Sequence, residues 1–216
     1  MPNASKSDLR QILRARRAGI PANERAALAQ RAAERAYRLL KQHSRIALYY
    51  ATQEELSTQV LAELLWRDGK SVYLPVINET RKLSFRLWTP ETELTLSRLK
   101  TYEPQASGPD LAAQQLDAVI IPLVGFDRNG ARLGMGGGFY DSTLRPALAD
   151  PIMRTDTKDT KDTKDTKISL NFKPLKIGFA FDIQEASYIP TEAHDVALDY
   201  VVTPTQIITC KAASTC

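Results

Sequence analysis

Residues 116–144 read LDAVIIPLVGFDRNGARLGMGGGFYDSTL. The first nine are almost wholly apolar, the pattern of a central strand covered on both faces. Asp127-Arg128-Asn129-Gly130 is a strong turn signal, because Asn-Gly suits positive φ. Gly134, Gly136, Gly137 and Gly138 follow, then Phe139, Tyr140 and Asp141, with helix-compatible residues over 140–149. A strand, a glycine loop and a helix start, in that order, let backbone N–H groups close around an anion, and the helix dipole favours the negative charge. The spacing is neither the G-x-G-x-x-G of a dinucleotide site nor the Gly-Lys-Ser/Thr of a Walker A loop. Arg132 offers a planar fork for phosphate oxygens. Asp141 is a hard oxygen ligand suited to Mg²⁺, or equally an N-terminal helix carboxylate. A tight loop with no ligand is the alternative reading of the glycines.

Around this segment, helix-like and strand-like stretches alternate. Ser5 to Asp8 can cap a helix with Leu9, Ile12 and Leu13 on its apolar side. An Ala-rich helix over 22–41 follows Pro21, with Asn23 as a candidate cap. RIALYY (45–50) reads as a strand, and Ser57-Thr58 starts a helix ended by Gly69. SVYLPV (71–76), KLSFRLW (82–88), KIGFAF (176–181) and LDYVVT (198–203) read as further strands. Strands separated by helices predict an α/β fold with a mainly parallel sheet. Residues 156–167, DTKDTKDTKDTK, contain nothing apolar to offset the entropy of ordering. We read 154–168 as a disordered insertion in a single domain over 1–216, since the segment after it is short for an independent core.

The chain has 216 residues, of which 43% are hydrophobic and 25% charged, which excludes collagen-like and wholly disordered classes. No apolar run reaches the roughly 18 residues of a membrane-spanning helix. The N-terminus has no apolar core of signal-peptide length. The two cysteines, Cys210 and Cys216, lie in a tail expected to fray, so a reducing cytoplasm is the expectation. Residues 1–41 hold ten Lys/Arg against three acids, net +7, which leaves −3 over the rest of a chain whose total is +4. Such a basic helical arm, packed on the domain, fits an anionic partner: nucleic acid, a nucleotide or a polyanionic metabolite. Charge alone equally fits two solvated helix faces. Lys6, Arg10, Arg14 and Arg17 are spaced four, four and three apart, one cationic stripe beside the apolar one.

RLGMGGGFYD (132–141) resembles the signature of the 5-formyltetrahydrofolate cyclo-ligase family, as does PLVGFD (122–127) before it. Lys6-Ser7-Asp8-Leu9-Arg10 is similar to the family's N-terminal Lys-x-x-Leu-Arg element. Tyr49-Tyr50 followed by Glu54-Glu55 resembles its strand-then-Glu element. PTEAHD (190–195), then Leu198-Asp199 and Val201-Val202-Thr203, resembles its C-terminal end. The likeness covers most of the chain outside the DTK insertion. Ser142 stands where the family commonly has a cation, and Gly137 where some members place Lys.

The resemblance implies a single three-layer α/β/α domain that converts 5-formyltetrahydrofolate, with or without a polyglutamate tail, to 5,10-methenyltetrahydrofolate using ATP and Mg²⁺. No nucleic-acid motif is recognised and no apolar run is long enough for a membrane span, so neither partner is expected, and a monomer is the expectation. Lys6 and Arg10 would contact ATP phosphates and, with Arg132, form the catalytic set. Arg132, Leu133, Gly134, Met135, Gly136, Gly137, Gly138, Phe139 and Tyr140 would cradle the nucleotide, and the last five would also face the folate. Asp141 and Asp195 would hold Mg²⁺, while Tyr50 and Glu55 would bind the folate. Such chemistry needs cations, backbone donors and carboxylates, and no nucleophile triad or metal-His cluster. His194 could serve a proton transfer or be a loop histidine. His43, Asp182 and Asp199 read as helix-end, turn or cap residues, Trp66 as core, and Trp88 as core or a pocket wall. Two other readings of the sequence are a related α/β enzyme binding a sugar phosphate or CoA, and a nucleic-acid module using the basic helices.

Overall fold

The first helix, α1 (Lys6–Ala18), begins at a reciprocal capping box. The Asp8 N–H donates to Ser5 Oγ at 3.2 Å, and the Ser5 N–H donates back to Asp8 Oδ2 at 3.1 Å. The second, α2 (Ala22–Leu40), starts differently from expectation: Pro21 takes the N-cap position with no side-chain cap, and Asn23 lies inside the helix. Proline suits a helix start because its φ is already helical and the first N–H groups have no intrahelical partner. Ala29, Ala32, Ala33, Ala36 and Leu40 form the buried face of α2. The third helix, α3 (Gln59–Arg67), is followed by Gly69 at φ 68°.

The computed structural model describes residues 4–78, 80, 82–97, 100–105, 108–145 and 174–210. The DTK insertion, the C-terminal part of the helix expected over 140–149, and Cys216 lie outside them. The strands are β1 (Arg45–Ala47), β2 (Ser71–Ile77), β3 (Leu83–Trp88), β4 (Leu94–Leu96), β5 (Tyr102–Pro104), β6 (Ala118–Ile121), β7 (Gly125–Phe126), β8 (Arg132–Leu133), β9 (Leu175–Phe179), β10 (Tyr200–Val202) and β11 (Ile207–Thr209), with α4 (Phe139–Leu144) between β8 and β9. Seven strands form one sheet in the order β11-β10-β9-β6-β1-β2-β3. The five inner strands pair in parallel, and β11 and β3 pair antiparallel at the two edges. The chain therefore has an α/β fold with a mainly parallel sheet.

Alternation along the strands divides the core. Ile46, Leu48, Ala118, Ile120, Ile177 and Phe179 face the side covered by α2 and α3. Ala47, Val119, Ile121 and Val201 face the other side. There the cover among the described residues is short: the turn Ala113–Gln115, β7 and α4. Gly178 lies where that second layer closes, and a Cβ there would sit 2.7 Å from Leu123 Cδ2 and 2.7 Å from Leu198 Cδ1, so both leucines would have to shift.

The expected strand ends need correction, and two hairpins are additional. β1 stops at Ala47 instead of Tyr50, and β6 stops at Ile121 instead of Val124, where Pro122 offers no N–H to continue the ladder. Beyond β6 the chain forms the β7–β8 hairpin, with Gly130 at φ 90° in its turn. Buried Asp127 fixes that turn: Oδ1 accepts from Asn129 N and Ala131 N, and Oδ2 from Ile189 N at 3.0 Å. The β4–β5 hairpin is also additional. Its Leu96 and Tyr102 are exposed, so no buried-strand pattern marks it. Cys210 is not frayed: it is buried against Gly130, and burial pushes its thiol up to about 11.

α1 docks against β7 and the turn Asp182–Gln184 instead of extending α2. Leu13, 1% exposed, fills the gap over Gly125, where a Cβ would lie 2.2 Å from Leu13 Cδ1. Val124, Leu133 and Ile189 complete this small core. The N-terminal cations thereby reach the end of the sheet where β1 and β6 stop.

Candidate active site

A cavity of about 770 Å³ opens at the C-terminal ends of β1, β2 and β6, where ligands bind in open α/β sheets. Lys6, Arg10, Tyr50, Glu55, the run from Arg132 to Asp141, and Asp195 all line it. Folding brings these residues together from four separate stretches of chain. The N-terminal stripe divides. Lys6 and Arg10 face the cavity, whereas Arg17 is buried and donates to Glu54 Oε2 at 2.9 Å, with Arg14 3.4 Å from the same carboxylate. The hydrogen bond from Arg17 and the nearby Arg14 charge hold Glu54 below the usual carboxylate range, against the opposing effect of burial. Of the adjacent pair Glu54-Glu55, the first anchors α1 and the second lines the cavity.

The glycine run has the backbone its composition calls for. Gly136 has φ 98° and Gly138, the N-cap of α4, has φ 68°, both in the left-handed region. A Cβ on Gly137 would lie 2.7 Å from the Phe139 ring. Arg10 Nε donates to Gly134 O at 2.8 Å, which ties α1 to the loop. Arg132 Nη2 lies 2.5 Å from Asp141 Oδ1, with the side chains 6% and 17% exposed. The same Oδ1 accepts from Val196 N at 2.9 Å, so the residue after Asp195 is bonded to Asp141. Arg132 Nε is buried and has no hydrogen-bond partner among the described residues.

Lys6 Nζ lies 2.8 Å from Asp195 Oδ2 and 2.9 Å from Glu192 Oε1. Burial alone would lower the Lys6 pKa, but the bonds to Asp195 and Glu192 outweigh it and raise the value above the ordinary 10.5. Burial would raise the Asp195 pKa. Its bonds from Lys6 and from the Glu192 N–H at 2.8 Å outweigh that and lower it. His194 sits 3.6 Å from Glu192 and 3.7 Å from Asp195. Tyr140 has its phenol pushed up by burial and by the charge of Glu55.

At the folate-side residues named by sequence, Glu55 Oε2 accepts from Thr52 N at 2.9 Å. The Tyr50 ring lies 4.9 Å from Tyr102 and 6.0 Å from Trp88. Trp88 is buried and backs Tyr50 instead of lining the cavity, while Trp66 Nε1 donates to its carbonyl at 2.9 Å. Asp182 accepts from Thr203 Oγ1, and Asp199 accepts from Lys176 N, so both fix turns away from the cavity. His43 lies just beyond the end of α2 and does not line the cavity.

Several lining residues carried no sequence signal: Thr52, Pro75, Ile77, Leu83, and Lys100 to Tyr102. Glu192 could have been found, since it stands three residues before Asp195 in the PTEAHD stretch and reaches the same lysine. Among the described residues no cluster of three His, Cys, Asp or Glu side chains is placed to hold a metal alone. No described helix is long and apolar enough to cross a membrane.

The model of the 5-formyltetrahydrofolate cyclo-ligase family matches residues 2–204. The chain is similar to the 5-formyltetrahydrofolate cyclo-ligase of Escherichia coli K12, at 35% identity over 91% of this chain and 98% of that one. It is similar to the enzyme of the same name from Haemophilus influenzae, at 32% identity over 92% and 97%. Among solved structures, the Aquifex aeolicus 5,10-methenyltetrahydrofolate synthetase shares the fold with a TM-score of 0.74 and 24% identity, over 98% of this chain and 95% of that one.

Proposed function

The chain belongs to the 5-formyltetrahydrofolate cyclo-ligase family of ligases, and we propose that it converts 5-formyltetrahydrofolate to 5,10-methenyltetrahydrofolate with consumption of ATP. The observation that carries this reading is the convergence of Lys6, Arg10 and Arg132 with the glycine run on one cavity that Tyr50 and Glu55 also line. The arrangement suits a phosphate tail. A buried donor without a partner, as at Arg132 Nε, is costly unless a ligand satisfies it. A phosphate oxygen is the acceptor an arginine fork fits best. The positive-φ glycines leave the loop backbone open to close approach.

The donor set also fits Mg²⁺. This ion is commonly held by one or two carboxylates together with substrate phosphates and water. Asp141 and Asp195 would supply the carboxylates, linked through the Val196 N–H. When bound, the ion would neutralise charge on the transferring phosphoryl group.

The formyl group of the substrate is amide-like and a poor electrophile. Transfer of the terminal phosphoryl group of ATP to the formyl oxygen gives ADP and makes that oxygen part of a good leaving group. The N10 amine then forms its bond to the formyl carbon and loses its proton. The C–O bond breaks and phosphate departs with the original formyl oxygen. Lys6, Arg10 and Arg132 stabilise charge in the first step. The second step is intramolecular, so holding the pterin between Tyr50 and Glu55 supplies much of its rate. Lys6 and Arg10 face inward and Arg17 is buried, which removes three cations from any nucleic-acid face. We read the enzyme as a cytoplasmic monomer.

The test is direct. Protein, Mg-ATP and 5-formyltetrahydrofolate are mixed and the methenyl chromophore is followed. Product must form only when ATP is present. No product under saturating substrates, or no calorimetric heat from nucleotide with saturating magnesium, overturns the reading.

A further inference from the structure

The cavity wall carries a further cation on a segment separate from both α1 and the glycine run. α1 lies against β7 and the turn Asp182–Gln184, whereas β5 packs on β2 and β3 at the far side of the sheet. Lys100, just before β5, and Tyr102, its first residue, line the cavity. Lys6 is paired with two acids, Arg132 with Asp141, and Arg10 with the Gly134 carbonyl. The Lys100 ammonium has neither an ion pair nor a hydrogen bond among the described residues.

The backbone holds this lysine in an uncommon state. Lys100 is the non-glycine with positive φ among the described residues, at 59°, a region where glycine or asparagine is the usual occupant. The turn that imposes it is well tied. Lys100 N donates to Ser97 O at 3.0 Å, Ser97 N donates to Thr101 O at 2.8 Å, and the Ser97 and Thr101 hydroxyls lie 2.8 Å apart. Backbone outliers that their surroundings enforce cluster at ligand sites. The same cavity is lined by an aromatic pair, Tyr102 against Tyr50, with ring centroids 4.9 Å apart.

We propose that Lys100 binds the glutamate carboxylates of the reduced folate, so that the substrate lies with its pterin at Tyr50 and Glu55, its benzoyl ring along Tyr50 and Tyr102, and its anionic tail at the cavity mouth. This rests on the folate reading of the same cavity and adds the end of the substrate that reading leaves unassigned. Binding energy collected at Lys100 is remote from the reacting atoms and would serve to hold them in place. A charge-assisted contact of this kind has the scale of about tenfold in affinity.

The test compares 5-formyltetrahydrofolate with 5-formyltetrahydropteroate, which lacks the glutamate, in wild type, Lys100→Met and Lys100→Arg. Both equilibrium binding and kcat/KM are measured. The expected result is that K100M narrows the preference for the glutamylated compound on the order of tenfold, that K100R restores most of it, and that KM for ATP does not follow. An equal loss for both folates, no loss for either, or a shift that falls on ATP overturns the assignment. Because binding is read separately from turnover, the outcomes separate. Wild-type turnover with a K100M that keeps its preference sinks only the lysine assignment. Folate binding that depends on Lys100 but yields no methenyl product sinks only the reaction.

Discussion

Arg132 Nη2 and Asp141 Oδ1 lie 2.5 Å apart across the glycine run, and both side chains are largely withdrawn from water. The pair closes the loop on itself before any ligand enters. Each partner is of the type needed by an opposite charge: guanidinium for phosphate, carboxylate for a divalent cation. Under the proposed function, nucleotide and metal arriving together would take both partners at once, whereas either alone would leave a buried charge unpaired, which is expensive.

Asp141→Asn keeps the shape and the carbonyl acceptor for Val196 N but removes the charge. Turnover should fall by on the order of 100-fold, the scale of losing one charge-stabilising group. Calorimetry should show that magnesium no longer strengthens nucleotide binding. An Asn variant within twofold of wild type in steady-state assays would rule Asp141 out as a metal ligand.

The Lys6–Asp195 pair sets a pH dependence. The Asp195 pKa is held below the ordinary 3.8, so its contribution to stability is full above that value and is lost as pH falls through the lower folded value. The Lys6 pKa is raised above 10.5, so its contribution is full below that value and is lost as pH rises through the higher folded one. Urea midpoints of wild type and Lys6→Met should therefore differ by a constant amount from pH 5 to 9 and converge towards pH 3. A gap that grows on acidification would contradict the pairing.

Gly125→Ala should loosen α1. The new methyl meets Leu13 Cδ1, and overpacking of this kind costs about 1–3 kcal/mol. Because α1 carries Lys6 and Arg10, nucleotide affinity should drop along with the urea midpoint. Loss of stability with unchanged ATP affinity, measured by titration calorimetry, would show that α1 docking does not position the cations.

Tyr102→Ala removes the ring that packs on Tyr50. Aromatic pairs are worth about 0.5–1.5 kcal/mol beyond burial, so KM for the folate should rise roughly two- to tenfold. KM for ATP should stay put. Equal changes in both constants would place Tyr102 outside the folate wall.

The residues that line the cavity were legible in the sequence where they depend on local composition. Four glycines between an apolar run and a helix start specify an open loop wherever the chain goes, and Gly136 and Gly138 take left-handed φ as such a loop requires. Alternating elements likewise fixed the α/β class, because burial on both faces of a parallel strand demands a continuous apolar run. Helix spacing put Lys6, Arg10, Arg14 and Arg17 on one stripe, but it could not say that Glu54 would hold Arg17 and leave Lys6 and Arg10 for the cavity. That division depends on where Leu13 meets Gly125, a contact between segments more than a hundred residues apart. The hairpin that carries Lys100 and Tyr102 was silent for the same reason. Apart from buried Pro104 its strand residues are exposed or half-buried and polar or singly apolar, so only its position over β2 and β3 gives them meaning. Sequence determined which groups this protein has to offer an anion, and tertiary packing decided which of them face the same cavity, because periodicity encodes the side a residue takes within its own element and not the neighbour it will meet.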